Sequence, residues 1–426
     1  MGDSYGYLRN VSGSPFQFAV IEACQAEKVN LTQACNLTFS ASHRLILIGD
    51  VGRGAMVPQP GIAGIGIWYA TVPFFVVVLM AVAFIPVDVY RGRYNFCGVF
   101  RDKPDEDTTS PKASHRRSKL RAAGRTFVLG VADTQTVFVG GFLLSFAGRN
   151  KCTLSSYHFT AAVSQMMIAL SVITMSVAVV RTYWRNPLAA ALRLVLSLGA
   201  FIGVGITIYR EANYAPFNWM KPPDKDSAIL LPVACLLEGT LRPVAETQAR
   251  DNLADLGFGD PKAWPFERYL FIVIAGAFLV AHILVPFRYY RSRRNRAPKP
   301  SSTIWGFLEF VYWVVVLIAP TLTAVLCWVR VYIMRKWVDE SGWLESPNTE
   351  MDIWDSGGLI AMGILITVLM NVLTEAFERK KKDANKGIED GAAYKLLGSR
   401  DRSPMHMNDR GYNRGPNRPF NTSRVR

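Results

Sequence analysis

Long apolar stretches separated by short charged connections dominate the chain. Seven reach the length of about 20 residues that a helix needs to cross a bilayer. They are roughly Ile62–Ile85, Thr126–Phe146, His158–Val180, Leu188–Tyr209, Tyr269–Phe287, Trp305–Val329 and Gly357–Ala376. The fifth is the shortest and is apolar except for His282. Apolar and polar positions do not alternate with period two, which argues against a β-barrel. The pattern predicts an all-α, polytopic membrane protein, a seven-transmembrane helix bundle. A further apolar stretch, Ala228–Leu237, is too short to span and contains Pro232. It is expected as a packed loop or a re-entrant piece. The chain thus divides into an N-terminal segment, 1–61, and a bundle, 62–377, with one long loop at 210–267. A tail, 378–426, is too polar to fold alone and is expected to be disordered.

Composition supports this division. Of 426 residues, 50% are hydrophobic and 12% aromatic, yet the net charge is +15. Mean hydropathy is positive. That combination fits apolar spans joined by charged loops rather than a soluble core. The charge also orients the chain. Segments 88–125, 181–187, 288–304 and 377–426 hold 31 Lys+Arg against 11 Asp+Glu, whereas the segments on the other side hold 16 against 19. The positive-inside rule then places the N-terminus outside and the C-terminus in the cytoplasm, in the plasma membrane or an endomembrane. Residues 1–40 lack the apolar core of about 7–15 residues that marks a signal peptide. The first span is therefore expected to act as the export signal.

Outside chemistry clusters where this topology puts it. Asn10, Asn30 and Asn36 each open an Asn-x-Ser/Thr glycosylation acceptor. Cys24, Cys35, Cys152 and Cys235 also fall outside, an even number in an oxidising compartment. Four cysteines allow three pairings, and proximity favours Cys24–Cys35 with Cys152–Cys235. The second bridge would tie the long loop to the bundle in a manner similar to G-protein-coupled receptors. Cys327 lies in the sixth span as packing. Cys97 lies just inside the membrane, where an inert thiol competes with a palmitoylation site.

Four stretches together resemble a family. Gly61-Ile62-Ala63-Gly64-Ile65-Gly66 opens the first span and Val131-Ala132-Asp133-Thr134-Gln135-Thr136-Val137-Phe138-Val139-Gly140 lies in the second. Tyr157-His158-Phe159 opens the third, and Asp352-Ile353-Trp354-Asp355-Ser356-Gly357 leads into the seventh. They are similar, in order and spacing, to the DIAGIGV, LSDQQLVTG, YHW and ExxWxFGQ motifs of a fungal family of seven-span integral membrane proteins. The resemblance covers roughly residues 60–380. Gly61, Thr134, Phe159, Ser356 and Gly358 depart from the pattern. The family has no established biochemical activity, so the resemblance implies a seven-span architecture and a fungal origin rather than a mechanism.

Polar residues inside spans are costly, about 2.5–3.5 kcal/mol for a charge near a helix centre on insertion scales, and so they mark candidates. They are Asp133, Gln135, Gln165, Arg193, His282, Glu309, Asn371 and Glu375. All but Gln135 and Gln165 stand in the cytoplasmic half of their spans. Two readings follow: a polar crevice for a partner or an ion, or structural pairing, with Asp133 and Arg193 as the natural couple. The glycines of Gly61–Gly66 have no preceding strand and serve packing rather than dinucleotide binding.

Catalytic constellations are scarce. Five histidines are present, without the stacked pairs of a bis-haem bundle or a three-histidine zinc set. No GxSxG elbow or P-loop occurs. No enzyme activity, cofactor or metal is expected. The cytoplasmic loop 88–125 carries Ser110-Pro111-Lys112 and Arg116-Arg117-Ser118, and the tail carries Ser403-Pro404. Ser110, Ser118 and Ser403 are candidate phosphorylation sites whose modification would lower local positive charge. The basic runs attract anionic lipid, at about 1 kcal/mol per charge near the surface, and do not suggest nucleic acid. The expected partners are the lipid bilayer and a cytoplasmic protein at loop 88–125 or the tail. The leading reading is a receptor-like or scaffold-like protein coupling an extracellular cap to a basic cytoplasmic face. The alternative is a proton- or ion-coupled transporter or channel.

Overall fold

The computed structural model describes residues 22, 24–26, 28–35, 37–39, 45–64, 111–147, 152–179, 187–211, 228–236, 266–294, 303–348 and 350. The first apolar run beyond Gly64, the seventh run, most of loop 88–125 and the tail lie outside them. Five long helices make the body: α3 (Pro111–Ala147), α4 (Ser156–Val179), α5 (Pro187–Glu211), α7 (Phe266–Arg294) and α8 (Thr303–Ser341). Short elements gather at one end: α1 (Leu31–Ala34), strands β1 (Leu37–Phe39), β2 (Leu45–Ile48) and β3 (Val51–Gly52), α2 (Pro60–Ala63) and α6 (Val233–Leu236).

Among the described residues, four helices carry segments long and apolar enough to cross a membrane: Thr126–Phe146, Ser156–Val177, Leu188–Tyr209 and Val315–Ser341. The first and third coincide with the sequence expectation. The last runs well past its expected end at Val329. Arg330, just beyond that end, is buried and forms an ion pair with Glu267 at the start of α7. A paired charge lets the helix continue into the packed end. α7 covers the expected fifth span, Tyr269–Phe287.

α4 is the axis of the bundle. Its apolar window is wholly buried, against 28–39% for the other three windows. It packs most extensively on α8 and α3 and also touches α7 and α5. α3, α5, α7 and α8 follow one another around it, each in contact with the next. Burial explains the composition of α4: apolar residues occupy every side, with Met166, Met167, Met175 and Leu170 fully enclosed. The outward faces of α5 and α7 remain apolar, with Leu192, Val195, Ile202, Ile272 and Ile283 roughly half exposed or more. Apolar outside and apolar inside is the signature of a helix bundle in lipid.

Several hydroxyls in these helices bond to the preceding turn. Thr134 donates to Gly130 O, Thr136 to Ala132 O, Ser171 to Met167 O, Thr174 to Leu170 O and Thr207 to Gly203 O, at 2.8–2.9 Å. Such back-bonding lets a polar side chain sit in an apolar helix without a tertiary partner. In α8, Pro320 removes one backbone donor, and the neighbouring Thr321 hydroxyl bonds to Leu317 O at 2.7 Å.

The small elements form a cap on the end of the bundle where α4 begins and α8 finishes. Here the all-α expectation needs a correction, because a three-stranded antiparallel sheet, order β1-β2-β3, lies within it. Ile48 pairs with Val51 across the two-residue turn Gly49-Asp50. Gly49 has φ +62°, and a Cβ there would approach the backbone of Ala34 to 2.9 Å. Glycine is therefore required both by the turn and by the close pass of α1. The stretch at 228–236 is a packed loop, as one of the two expectations had it. Ser156 N–H donates to Leu231 O at 2.7 Å and Val233 N–H to Leu154 O at 2.8 Å.

The four expected cysteines are bonded, but the pairing favoured by proximity is wrong. Cys24 joins Cys152 and Cys35 joins Cys235, with Cα–Cα distances of 5.5 and 5.6 Å. The reason is local. The ladder just described lays residues 228–236 beside the start of α4, and α6 packs on α1. The N-terminal segment crosses both, so each of its cysteines meets a different partner. Each bond closes a loop of well over a hundred residues, an entropic constraint of about 5 kcal/mol in the chain model. Non-reducing peptide mapping is expected to return the 24–152 and 35–235 peptides, and a 24–35 peptide would contradict the fold. Gly49→Val should destabilise the cap by about 2 kcal/mol or more, read as faster proteolysis of residues 45–64 with the helices intact.

Candidate functional site: a buried polar junction

The most polar part of the core lies where cap and bundle meet. Ser155 precedes α4 and caps it. Its hydroxyl accepts the His158 N–H at 3.3 Å and contacts His158 Nδ1 at 2.7 Å. This fixes the imidazole, whose Nε2 lies 2.7 Å from Glu350 Oε1. Tyr157, on the same helical turn, donates its hydroxyl to Glu350 Oε2 at 3.0 Å. Gln59 donates its backbone N–H to Glu350 Oε1 at 2.9 Å. Glu350 is 2% exposed, His158 1% and Tyr157 0%.

The backbone around Glu350 is held as firmly. Its N–H donates to Asn348 Oδ1 at 3.1 Å, and its carbonyl accepts from Arg335 at 3.1 Å. Asn348 in turn donates to Asp339 Oδ1 at 3.0 Å. A parallel bridge joins Met56 to Leu344, with Met56 N–H to Trp343 O at 3.1 Å and Glu345 N–H to Met56 O at 3.0 Å. Trp343 is fully buried, and the Arg53 guanidinium sits over its ring at 5.4 Å. Glu350 thus ties the 342–350 loop to α4 and to the segment leading into α2 through its carboxylate, and to α8 through its backbone carbonyl.

Burial alone would raise the Glu350 carboxyl. The hydrogen bond and charge of His158, the Gln59 N–H and the Tyr157 hydroxyl more than offset it, and the net shift is downward. Ser155, His158 and Glu350 have the connectivity of a hydrolase triad, but Ser155 is 5% exposed and its Oγ is engaged as the helix cap. The arrangement fixes a geometry through a continuous chain of hydrogen bonds.

The intramembrane candidates are distributed elsewhere. Arg193 grips Asp133 through Nε at 2.7 Å and Nη2 at 2.8 Å, a bidentate pair between α5 and α3. His282 Nδ1 lies 3.0 Å from Phe278 O, and its ring rests 4.1 Å from the Phe278 ring. Gln135 is half-buried in α3 and Gln165 is buried in α4. Glu309 lies on α8 and Ser118 on α3, with only their backbones described. Asn30 is exposed, and its carbonyl accepts the first turn of α1 from Gln33 and Ala34. Asn10, Asn36, Asn371, Glu375, Cys97, Ser110 and Ser403 lie outside the described residues. Among the described residues no three metal-binding side chains converge.

Sequence reasoning missed Glu350. The available signal was the Tyr157-His158 couple at a helix mouth, which needs an acceptor once buried, and an acid two residues before the Asp352-Ile353-Trp354 stretch. No family model, curated protein or solved structure matches the chain.

The sign of the Glu350 shift gives a pH prediction. A lowered carboxyl contributes stability that is complete above the ordinary carboxylate value of about 4.3 and is lost as pH falls through the lowered value. Thermal unfolding of the purified protein should therefore show a falling Tm at acid pH. Glu350→Gln should cost about 2–3 kcal/mol at neutral pH and flatten the acid limb. An unchanged limb would contradict the role given to this carboxylate.

Proposed function

We propose that the chain is a receptor-like or scaffold-like multi-pass membrane protein, with an outer cap coupled to a basic cytoplasmic face. The observation that carries this reading is the fastening of cap to bundle by two disulfides and the Glu350 junction. A cap that only covered a bundle would need no buried carboxylate reaching the axial helix. Here a displacement of residues 45–64 or 342–350 is felt directly at the start of α4, which every other long helix touches.

Several features support the finer reading. The four apolar helices, with the apolar runs at 62–85 and 357–376 and the helix over 269–287, make seven spans. The resemblance to the fungal seven-span family points the same way. Disulfides belong to an oxidising compartment, which supports an outer position for the cap, as does the excess of Lys and Arg in segments 88–125, 181–187 and 288–304. We assign the protein no catalytic step. A proton- or ion-coupled transport reading is weaker, because Asp133 and Arg193 neutralise each other in a bidentate pair.

Three measurements test the proposal. An Asn30→Gln variant should lose a glycan-dependent mobility shift, while a C-terminal tag should be reached by antibody only after permeabilisation. An accessible tag in intact cells would reverse the topology. Proximity labelling from the C-terminus should return a set of neighbours that changes in Glu350→Gln. An identical set would remove the coupling.

A further inference from the structure

α4 carries a second polar layer beneath the Glu350 junction. Tyr157 and His158, which hold that carboxylate, are followed one heptad deeper by Ser164 and Gln165. Seven residues make two turns, about 10 Å along the helix. Each residue of the lower pair therefore lies under its counterpart on nearly the same face. Both stand near the middle of the apolar segment Ser156–Val177.

The two layers are bonded differently. The Tyr157 hydroxyl and both ring nitrogens of His158 have partners at 2.7–3.0 Å. Among the described residues, neither Ser164 Oγ nor Gln165 Oε1 has one. Yet Ser164 is 1% exposed and Gln165 3%. Ser164 also departs from the habit of its own helix, where Ser171 and Thr174 bond back to Met167 O and Leu170 O. Leaving such oxygens dry in an apolar core is costly. Nor do the flanking positions of α4 relieve Gln165. Three and four residues away stand Ala161, Ala162, Ile168 and Ala169, all buried and none with a polar side chain. Three of the four are alanines, so the side chains beside the amide are short.

We infer that Ser164 and Gln165 hold bound water inside the bundle, about 10 Å beneath the Glu350 junction. Water fits the chemistry of the pair. It donates to Gln165 Oε1, exchanges a bond with Ser164 Oγ, and is small enough for a core whose other side chains are enclosed. An amide and a hydroxyl carry no charge to hold an ion, so the site takes a neutral hydrogen-bonding molecule. The water hydrates the axial helix, which every other long helix touches. The inference rests on the burial and bonding of α4 alone and is independent of what the cap senses.

The test is radiolytic hydroxyl-radical footprinting of the full chain in nanodiscs, read by mass spectrometry. The radicals form from water, so an enclosed methionine is oxidised to its sulfoxide only where water lies beside it. Met167 is one turn from Ser164, and Met175 stands two turns further along the same helix. Both are buried, so one serves as reference for the other. Met167 should oxidise severalfold faster than Met175. The double variant Ser164→Ala, Gln165→Leu should bring Met167 down to the Met175 rate, with helical circular dichroism and both cap disulfides retained. Gln165→Leu alone supplies the comparison where the double variant does not fold. Equal protection of Met167 and Met175 in the parent chain would overturn the inference. So would fast Met167 oxidation that persists in a folded variant, because these groups would then not be what holds the water.

Discussion

A single buried carboxylate sets the relation between the two halves of this protein. Glu350 lies in the loop that follows α8, yet its oxygens are spent on Tyr157, His158 and the Gln59 backbone. A charge in that position is tolerable only because every partner is in place. Removing one leaves a desolvated charge or donor, which is costlier than the bond itself is worth. The cap, the axial helix and the end of α8 are therefore committed to one mutual arrangement.

The disulfides act on the same constraint from the other side. They attach the N-terminal segment to the loop before α4 and to the 228–236 stretch, and so shorten the search that brings Gln59 and Glu350 together. Covalent bonds supply the approximate position and the polar junction supplies the fit. Within the bundle the opposite economy holds. Several hydroxyls are satisfied by their own helices, and tertiary specificity comes from packing on α4 and from ion pairs such as Asp133–Arg193 and Glu267–Arg330.

Much of this was legible in the sequence, for physical reasons. Apolar length identifies helices reliably because a bilayer leaves the backbone no alternative, and Thr126–Phe146 and Leu188–Tyr209 were readable to the residue. The Asp133–Arg193 couple was readable as well, since two charges in neighbouring spans have few other partners. The failures concern contacts distant along the chain. Cysteine pairing followed proximity and was crossed, because the ladder between residues 154–156 and 231–233 carries no sequence signature. The hairpin at Gly49-Asp50 was overlooked in a segment too short to show a clear period. The sixth span was ended at Val329, before Arg330, whose partner Glu267 lies in another helix. Glu350 went unseen for the same reason, as one loop acid among several until the fold placed it beside His158.

The central claim is that cap and bundle form one cooperative body. It is tested most directly by unfolding the oxidised protein with heat while following two probes, proteolytic cleavage within residues 45–64 and helical circular dichroism. Strong coupling through Glu350 and the two disulfides predicts coincident transitions. A cap that opens well below the helical transition, with both disulfides intact, would show that the junction does not bind the two halves together and would contradict the account.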